Sequence, residues 1–157
     1  MQIFILDKDP TKAARMLCDK HVVKMIVESA QILSTVHHLS DSPHKNFVYK
    51  KTHERHPCVI WAGESKENYL WLLKHLHELI KEYEYRYGKF HKTTDIKKIL
   101  EIVPENLPNI GLTNFAQALP GEYKQRNAVK AYRKFYKKEK AYFAKWTNRK
   151  PPKWFLE

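Results

Sequence analysis

Apolar side chains recur at helical spacing in two long stretches of the sequence, residues 10–36 and 57–87. An α-helix turns once about every 3.6 residues, so such a stripe faces one side and needs a core to cover it. In the first stretch the stripe consists of Ala14, Leu17, Cys18, Val22, Met25, Ser29, Ile32 and Val36. In the second it consists of Ile60, Leu72, Leu73, Leu76, Leu79, Ile80, Tyr83 and Tyr87. The pattern predicts an all-α fold, a single compact domain over residues 1–157 built around two long helices.

Residues that are typical of helix starts and ends support the prediction of both helices. Asp9 before Pro10 is typical of a helix start, and Pro57 has the same first-turn position in the second helix. Gly88 is typical of a helix end because glycine adopts the left-handed conformation readily.

The remaining segments are shorter. Residues 2–6 are apolar and predict a short buried strand or an extended arm. Short helices are predicted over residues 95–103 and within 111–120, and a basic helix over 127–146. Residues 147–157 contain paired prolines and predict an extended tail.

The positive charge is concentrated near the C-terminus. The chain has a formal net charge of +12, and residues 122–157 hold 12 Lys and Arg against 3 Asp and Glu. Such a segment is typical of a polyanion-binding protein, although a solvated surface is the alternative. We expect nucleic acid, with DNA favoured and RNA left open, and no membrane, because the apolar faces are needed for a core. The residues expected to contact it are Arg133, Lys134, Lys137, Lys138 and Tyr136.

One polar stripe of the first helix contains side chains that are suited to catalysis. His21, Lys24, Glu28 and Gln31 recur at spacings that place them on the same side. A buried carboxylate can stabilise the positively charged, oxocarbenium-like transition state of sugar–base cleavage. The alternative is a helix edge whose polar groups are satisfied structurally. Lys24 and Gln31 are the stripe's candidates for nucleic-acid contact.

A second polar set lies on the second helix. Trp61, Glu64, Asn68 and Trp71 follow one another at spacings of three and four residues. They could line a pocket in which a flipped base stacks on tryptophan and is hydrogen-bonded by asparagine. The alternative is that the tryptophans belong to the core and that Glu64 and Asn68 form a helix edge.

Metal binding is not expected. His53 and His56 are suitably spaced ligands, but no cysteine pair or HExxH motif accompanies them. Arg55 between them is better suited to contact a phosphate. Cys18 and Cys58 lie in apolar stretches and are expected to be buried thiols.

Three segments carry a resemblance to a known family. Residues 19–33, DKHVVKMIVESAQIL, contain Asp-x-His followed by a glutamate seven residues after the histidine. Residues 56–88 and the segment AYRKFYKK at 131–138 add a long helix and an aromatic, basic stretch. In these features the chain resembles the phage pyrimidine-dimer DNA glycosylases, also known as endonuclease V of the ultraviolet-repair type.

The resemblance implies a small all-α enzyme without metal or cofactor. It implies that the N-terminal α-amine attacks the sugar C1′ of damaged double-stranded DNA and forms a Schiff base, and that β-elimination then nicks the strand. The catalytic residues carried over are Glu28, His21 and the α-amine of Met1. It also implies a phage protein working as a monomer in the cytoplasm of a bacterial host, which fits the absence of a signal peptide or an apolar membrane span in the sequence.

At two points the sequence differs from the pattern of this family, and these differences leave the substrate undecided. The family removes its first Met, whereas Gln2 is expected to retain Met1 here. Val27 and Gln31 stand where the family has two arginines beside the glutamate. An enzyme that transfers a group onto a DNA base, and a nucleic-acid-binding protein without catalysis, therefore remain alternatives to a glycosylase with AP-lyase activity.

Overall fold

The computed structural model describes all 157 residues and contains seven α-helices and no β-strand. They are α1 (Pro10–Met16), α2 (Asp19–Leu39), α3 (Pro57–Glu64), α4 (Lys66–Tyr87), α5 (Thr94–Leu100), α6 (Ala128–Glu139) and α7 (Lys153–Leu156). Short 3-10 turns lie at Lys45–Phe47 and Gly121–Tyr123. The predicted all-α fold is confirmed. None of the helices is both long and apolar enough to cross a bilayer.

The helix starts at Pro10 and Pro57 and the helix end before Gly88 were predicted correctly, but the continuity of the two long helices was not. Asp9 caps α1 by accepting the N–H groups of Thr11 and Lys12, and Gly88 ends α4 at φ 65°. The first predicted helix is interrupted at residues 17–18, where the backbone is extended. The second is interrupted at Ser65, whose side chain accepts the Asn68 N–H and so caps α4.

One apolar core joins these elements. It is a single cluster of 33 buried residues to which α1, α2, α3 and α4 contribute most. The N-terminal arm, residues 1–6, runs through this cluster without regular secondary structure, and Ile3, Phe4, Ile5 and Leu6 are all buried. The predicted burial of this segment is therefore confirmed, but it forms no strand, and its backbone departs from an extended conformation at Phe4. Helix α6 covers the arm with Ala131, Tyr132 and Tyr136.

The C-terminal third is less helical than predicted. Residues 111–120 form no helix, and α6 ends at Glu139 instead of continuing to 146. Beyond α6 the chain turns back to the α1–α2 junction, because the Trp146 indole donates to the Met16 carbonyl (2.9 Å) and the Asp19 N–H donates to the Lys145 carbonyl (2.7 Å). The predicted extended tail contains the single-turn helix α7.

A buried ion network holds this returning chain in place. Arg86 of α4 is 4% exposed and lies 2.9 Å from Glu82 and 3.1 Å from Asp19. It also donates to the Leu17 carbonyl (2.7 Å) at the helix break. Glu82 is shared with Arg149 of the tail. One arginine thus links α4, the α1–α2 junction and, through Glu82, the C-terminal tail.

Replacing Arg86 by methionine should lower the free energy of unfolding by about 3–5 kcal/mol, because it leaves buried carboxylates and carbonyls without their donor. Urea denaturation would measure the change. The matched control is Lys81→Met on the same helix, since the Lys81 side chain is 70% exposed. We expect that control to stay within about 0.5 kcal/mol of the wild type. Equal losses in both variants would contradict a structural role for the network.

Candidate active site

The α-amino group of Met1 forms an ion pair with a glutamate in the middle of α2. Its nitrogen lies 3.4 Å from Glu28 Oε1, and the side chains of Met1 and Glu28 are 2% and 13% exposed. The other carboxylate oxygen, Glu28 Oε2, is buried and has no hydrogen-bond partner. The structure thus brings together two of the three residues assigned to catalysis. Their catalytic role stays a prediction.

Gln2 fixes the position of the amine. Its Oε1 accepts hydrogen bonds from the Ile3 N–H (3.0 Å) and from the Tyr132 hydroxyl of α6 (2.9 Å). Its Nε2 donates to the Ala118 carbonyl (2.8 Å). The sequence suggested only that Gln2 retains the residue before it. The structure shows a side chain that anchors the start of the arm to two distant segments.

Phe4 provides a second anchor. Its φ of 62° is unusual for a residue with a bulky side chain and is tolerated only where the surroundings enforce it. The Phe4 ring stacks on the His21 imidazole with centroids 4.4 Å apart, and Tyr136 meets the Phe4 ring edge-on. Two residues of α2 and α6 therefore clamp the middle of the arm.

His21 belongs to this clamp and has no contact with the amine. The imidazole is 4% exposed, and its Nδ1 lies 2.7 Å from the Tyr136 hydroxyl, which also accepts the Cys18 N–H (3.0 Å). Burial, with smaller effects from nearby lysines, lowers the pKa of His21 to about 4, so its ring is neutral at pH 7. About 10 Å of helix separate it from Glu28, seven residues further on at 1.5 Å per residue. The structure thus places His21 where it supports the arm.

Two residues that the sequence analysis did not assign to the site lie within electrostatic range of the amine. His56 caps α3 through Nδ1, which accepts the Cys58 N–H (3.1 Å) and so leaves the ring proton on Nε2. Burial, followed by the charge of the N-terminal amine, lowers the pKa of His56. Burial raises the pKa of the Cys58 thiol to about 12, which excludes a thiolate at neutral pH. In the sequence, His56 was considered only as a possible metal ligand and Cys58 only as a buried thiol.

The loop before α3 is attached to α2 near the predicted polar stripe. The Thr52 N–H donates to the Thr35 hydroxyl (3.1 Å), which itself donates to the Gln31 carbonyl (2.8 Å). His53 in this loop has a φ of 49°. Arg55 is exposed and has no ion-pair partner. The loop is thus placed to present Arg55 to a ligand.

Lys24 and Gln31 remain available as predicted contacts. Lys24 is exposed and forms no ion pair, and the Gln31 side chain is partly exposed and makes no hydrogen bond within the protein. Both lie on the side of α2 that carries Glu28. No group of three or more His, Cys, Asp or Glu side chains is arranged to hold a metal ion.

The four residues expected to form a base pocket are engaged elsewhere. Trp61, Asn68 and Trp71 are 2%, 0% and 7% exposed. Asn68 donates to the Trp61 carbonyl and the Thr113 hydroxyl (both 2.7 Å) and accepts the Thr113 N–H (2.9 Å). Glu64 accepts from the same hydroxyl (2.8 Å). This corrects the predicted pocket: the amide of Asn68 is fully used in holding the 111–118 segment.

The basic residues of α6 divide into two groups. Lys134 and Lys138 are exposed and form no ion pair or hydrogen bond within the protein. Arg133 instead donates to the Leu6 carbonyl (2.8 Å) of the arm, and Lys137 donates to the Glu157 carbonyl (2.6 Å). Tyr136 is completely buried, which corrects its assignment to nucleic-acid contact. Of the α6 residues predicted to contact nucleic acid, Lys134 and Lys138 are therefore the ones free to meet a phosphate.

One of the comparisons with known proteins gives a match. The model of the family described as pyrimidine dimer DNA glycosylase matches residues 1–96. That range holds the arm, α1–α4, Met1, Glu28 and His56, whereas α6 lies outside it. No curated protein sequence and no solved structure matches the chain.

The buried histidines should make stability pH-dependent. The pKa values of His21, His37 and His75 are each lowered to about 4, chiefly by burial. An unfolded histidine has a pKa of about 6.5, so between about pH 6.5 and 4 the unfolded chain binds more protons than the folded one. The free energy of unfolding should therefore fall as the pH falls through that window. Urea denaturation at a series of pH values would measure it.

His21→Phe should reduce this pH dependence, because it removes one of the three groups. His53→Gln is the control, since His53 is exposed, and it should keep the wild-type dependence. If His21→Phe also kept the full dependence, the imidazole would not be held neutral in the core.

Proposed function

The chain belongs to the pyrimidine dimer DNA glycosylase family, and from that membership we propose that it removes a damaged or modified pyrimidine from double-stranded DNA. The observation that carries the proposal is the 3.4 Å separation between the Met1 amine and Glu28 Oε1. A free primary amine beside a carboxylate is the pair of groups that imine-forming cleavage of a sugar–base bond requires. Membership of the family implies a glycosylase; the following steps are proposed for this chain.

In the first step the unprotonated Met1 nitrogen attacks the deoxyribose C1′. The bond between C1′ and the base nitrogen breaks, and its electron pair leaves with the base, which takes up a proton. The Glu28 carboxylate accepts the proton that the amine releases and stabilises the positive charge that develops on the sugar. An α-amine suits this task because α-amines lose their proton more easily than lysine side chains do.

In the second step the sugar ring opens and the nitrogen becomes a Schiff base on C1′. Removal of a proton from C2′ then allows the bond between C3′ and its oxygen to break, which nicks the strand. Glu28, whose Oε2 has no partner within the protein, is the proposed base for this proton. The lyase activity therefore needs no group beyond the two that form the ion pair.

Binding would depend on charge. The net charge of +12 and the unpaired cations on α2, on α6 and in the loop before α3 favour contact with phosphates. The cations proposed for this role are Lys24, Arg55, Lys134 and Lys138, with Gln31 as a polar contact beside Glu28. Release of counterions makes such binding weaken steeply as salt is raised.

A second candidate is transfer of a group onto a DNA base at the same site. It is favoured by Val27 and Gln31, which stand beside Glu28 where the family resemblance would place arginines. Mass spectrometry of the nucleosides recovered from treated DNA separates the two candidates. A free base or an abasic site indicates excision, whereas a nucleoside of increased mass indicates transfer.

Glu28→Gln should reduce base release and strand nicking on ultraviolet-irradiated duplex DNA by at least about 100-fold, because it removes the proton acceptor but keeps the shape of the side chain. DNA affinity, measured by fluorescence anisotropy, should change little. Glu105→Gln is the matched control, since Glu105 is exposed, and it should retain activity. A fully active Glu28→Gln enzyme would remove Glu28 from the mechanism.

Borohydride should trap a covalent complex between the protein and duplex DNA that carries an abasic site, with the adduct on the Met1 nitrogen in peptide mapping. A Gly-Ser extension before Met1 should abolish the trapped band, because it replaces the amine beside Glu28 by an amide. The same dipeptide placed after Glu157 is the control and should leave the band intact. A band that persists on a lysine in the N-terminally extended protein would contradict the assignment of the nucleophile.

A further inference from the structure

A cavity of about 770 Å³ lies on the surface beside the N-terminal end of α6. Its walls come from Lys8, from residues 112–117 and from residues 125–130. The volume is within the range of pockets that take small organic ligands, roughly 300–1,000 Å³. None of Met1, Gln2, Glu28, His56 or Cys58 lines it, so it is separate from the candidate active site.

The charge around the cavity is of one sign. Lys8, Arg126 and Lys130 line it, and no Asp or Glu does. All three cationic side chains are exposed, and none forms an ion pair or a hydrogen bond within the protein. Three unpaired cations around one concave surface repel one another, and an anion placed between them would relieve that repulsion.

The other walls supply hydrogen-bonding groups and an aromatic ring. The Asn114 carboxamide is exposed and makes no hydrogen bond within the protein. Gln117 is held rigidly, because its Oε1 accepts the Gln125 N–H (3.0 Å) and its Nε2 donates to the Gln125 carbonyl (2.6 Å). The Phe115 ring packs against Trp61 and Trp71, with centroids 5.5 and 5.1 Å away. The ring is therefore fixed in the cavity wall.

Family membership does not account for this cavity. The family match ends at residue 96, and every lining residue except Lys8 lies beyond it. Lys8 is placed by its own backbone, since its carbonyl accepts the Trp71 indole N–H (2.7 Å). The cavity is thus built by packing the C-terminal third of the chain onto the arm and α4.

We propose that this cavity binds a nucleotide. Arg126, Lys130 and Lys8 would neutralise its phosphate, and Asn114 would hydrogen-bond a base edge beside the face of Phe115. Two sources share this chemistry: a free nucleoside monophosphate, and a nucleotide within a DNA strand that extends beyond the active site. Because binding is measured without any chemical step, the proposal does not depend on the proposed glycosylase activity.

Isothermal titration calorimetry with thymidine 5′-monophosphate tests the first source, and anisotropy of a labelled 16-mer duplex tests the second. The test variant is Arg126→Gln/Lys130→Gln. The control is Lys89→Gln/Lys92→Gln, which removes the same charge at exposed positions that do not line the cavity. None of the four side chains makes a contact that holds the fold, so circular dichroism and thermal melting should match the wild type.

We expect the test variant to lose at least about tenfold in affinity for one of the two probes, while the control loses much less. Loss with the monophosphate identifies a free nucleotide as ligand. Loss with the duplex alone identifies a nucleotide in a strand. Unchanged binding of both probes, or equal losses in test and control variants, would overturn the proposal.

Asn114→Leu tests the base contact in whichever probe binds. Affinity for that probe should fall, whereas inorganic phosphate should compete against thymidine 5′-monophosphate, or against the duplex, as well as it does with the wild type. A variant that binds both probes like the wild type would overturn the base contact. With the abasic duplex at a concentration that saturates each variant, borohydride trapping should persist in Arg126→Gln/Lys130→Gln and fail in Glu28→Gln, so failure of this proposal is distinguishable from failure of the proposed function.

Discussion

The candidate active site depends on the burial of the N-terminal arm. Burying the side chains of Ile3, Phe4, Ile5 and Leu6 contributes roughly 1.5–3 kcal/mol each, or about 6–12 kcal/mol together. Ordering the backbone of the six arm residues costs about 1–2 kcal/mol each, a sum of similar size. The balance is therefore decided by the polar anchors, namely the hydrogen bonds of Gln2 and the bond from Arg133 to the Leu6 carbonyl. Without them the amine would have no fixed position beside Glu28.

Those anchors explain why the family-matched region is incomplete on its own. Residues 1–96 contain the amine and the carboxylate, but Ala118, Tyr132 and Arg133, which position the arm, come from the rest of the chain. The same segment uses part of its positive charge internally. Arg133, Lys137 and Arg149 each bind protein groups. The net charge therefore overestimates the number of cations that are free to contact DNA. The number of unpaired cations is the better measure of that surface.

Local patterns in the sequence were enough to predict the main helical segments, the helix starts at Pro10 and Pro57, the helix end before Gly88 and the burial of the arm. They were not enough to predict the break at residues 17–18, since the Cys18 N–H is satisfied by Tyr136, 118 residues away. The prediction of a base pocket from the polar set, which lies on α3 and α4, was wrong for a related reason. Tryptophan and asparagine at helical spacing look the same whether they face a ligand or, as Asn68 does, an irregular segment of the same chain. Glu28 was singled out by its spacing on the polar stripe and favoured as catalytic by the resemblance, whereas the structural roles of Gln2 and His56 became visible only through tertiary contacts.

The arm is synthesised first, and its hydrogen-bonding partners are synthesised last. Gln2 and Tyr132 are 130 residues apart, so the arm cannot be held until nearly the whole chain has left the ribosome. Throughout translation the terminal nitrogen is thus accessible to enzymes that trim or acylate nascent chains. Once α6 has docked, the Met1 side chain is 2% exposed and that access ends. Whether the proposed nucleophile keeps a free amine therefore depends on whether N-terminal processing or the docking of α6 happens first.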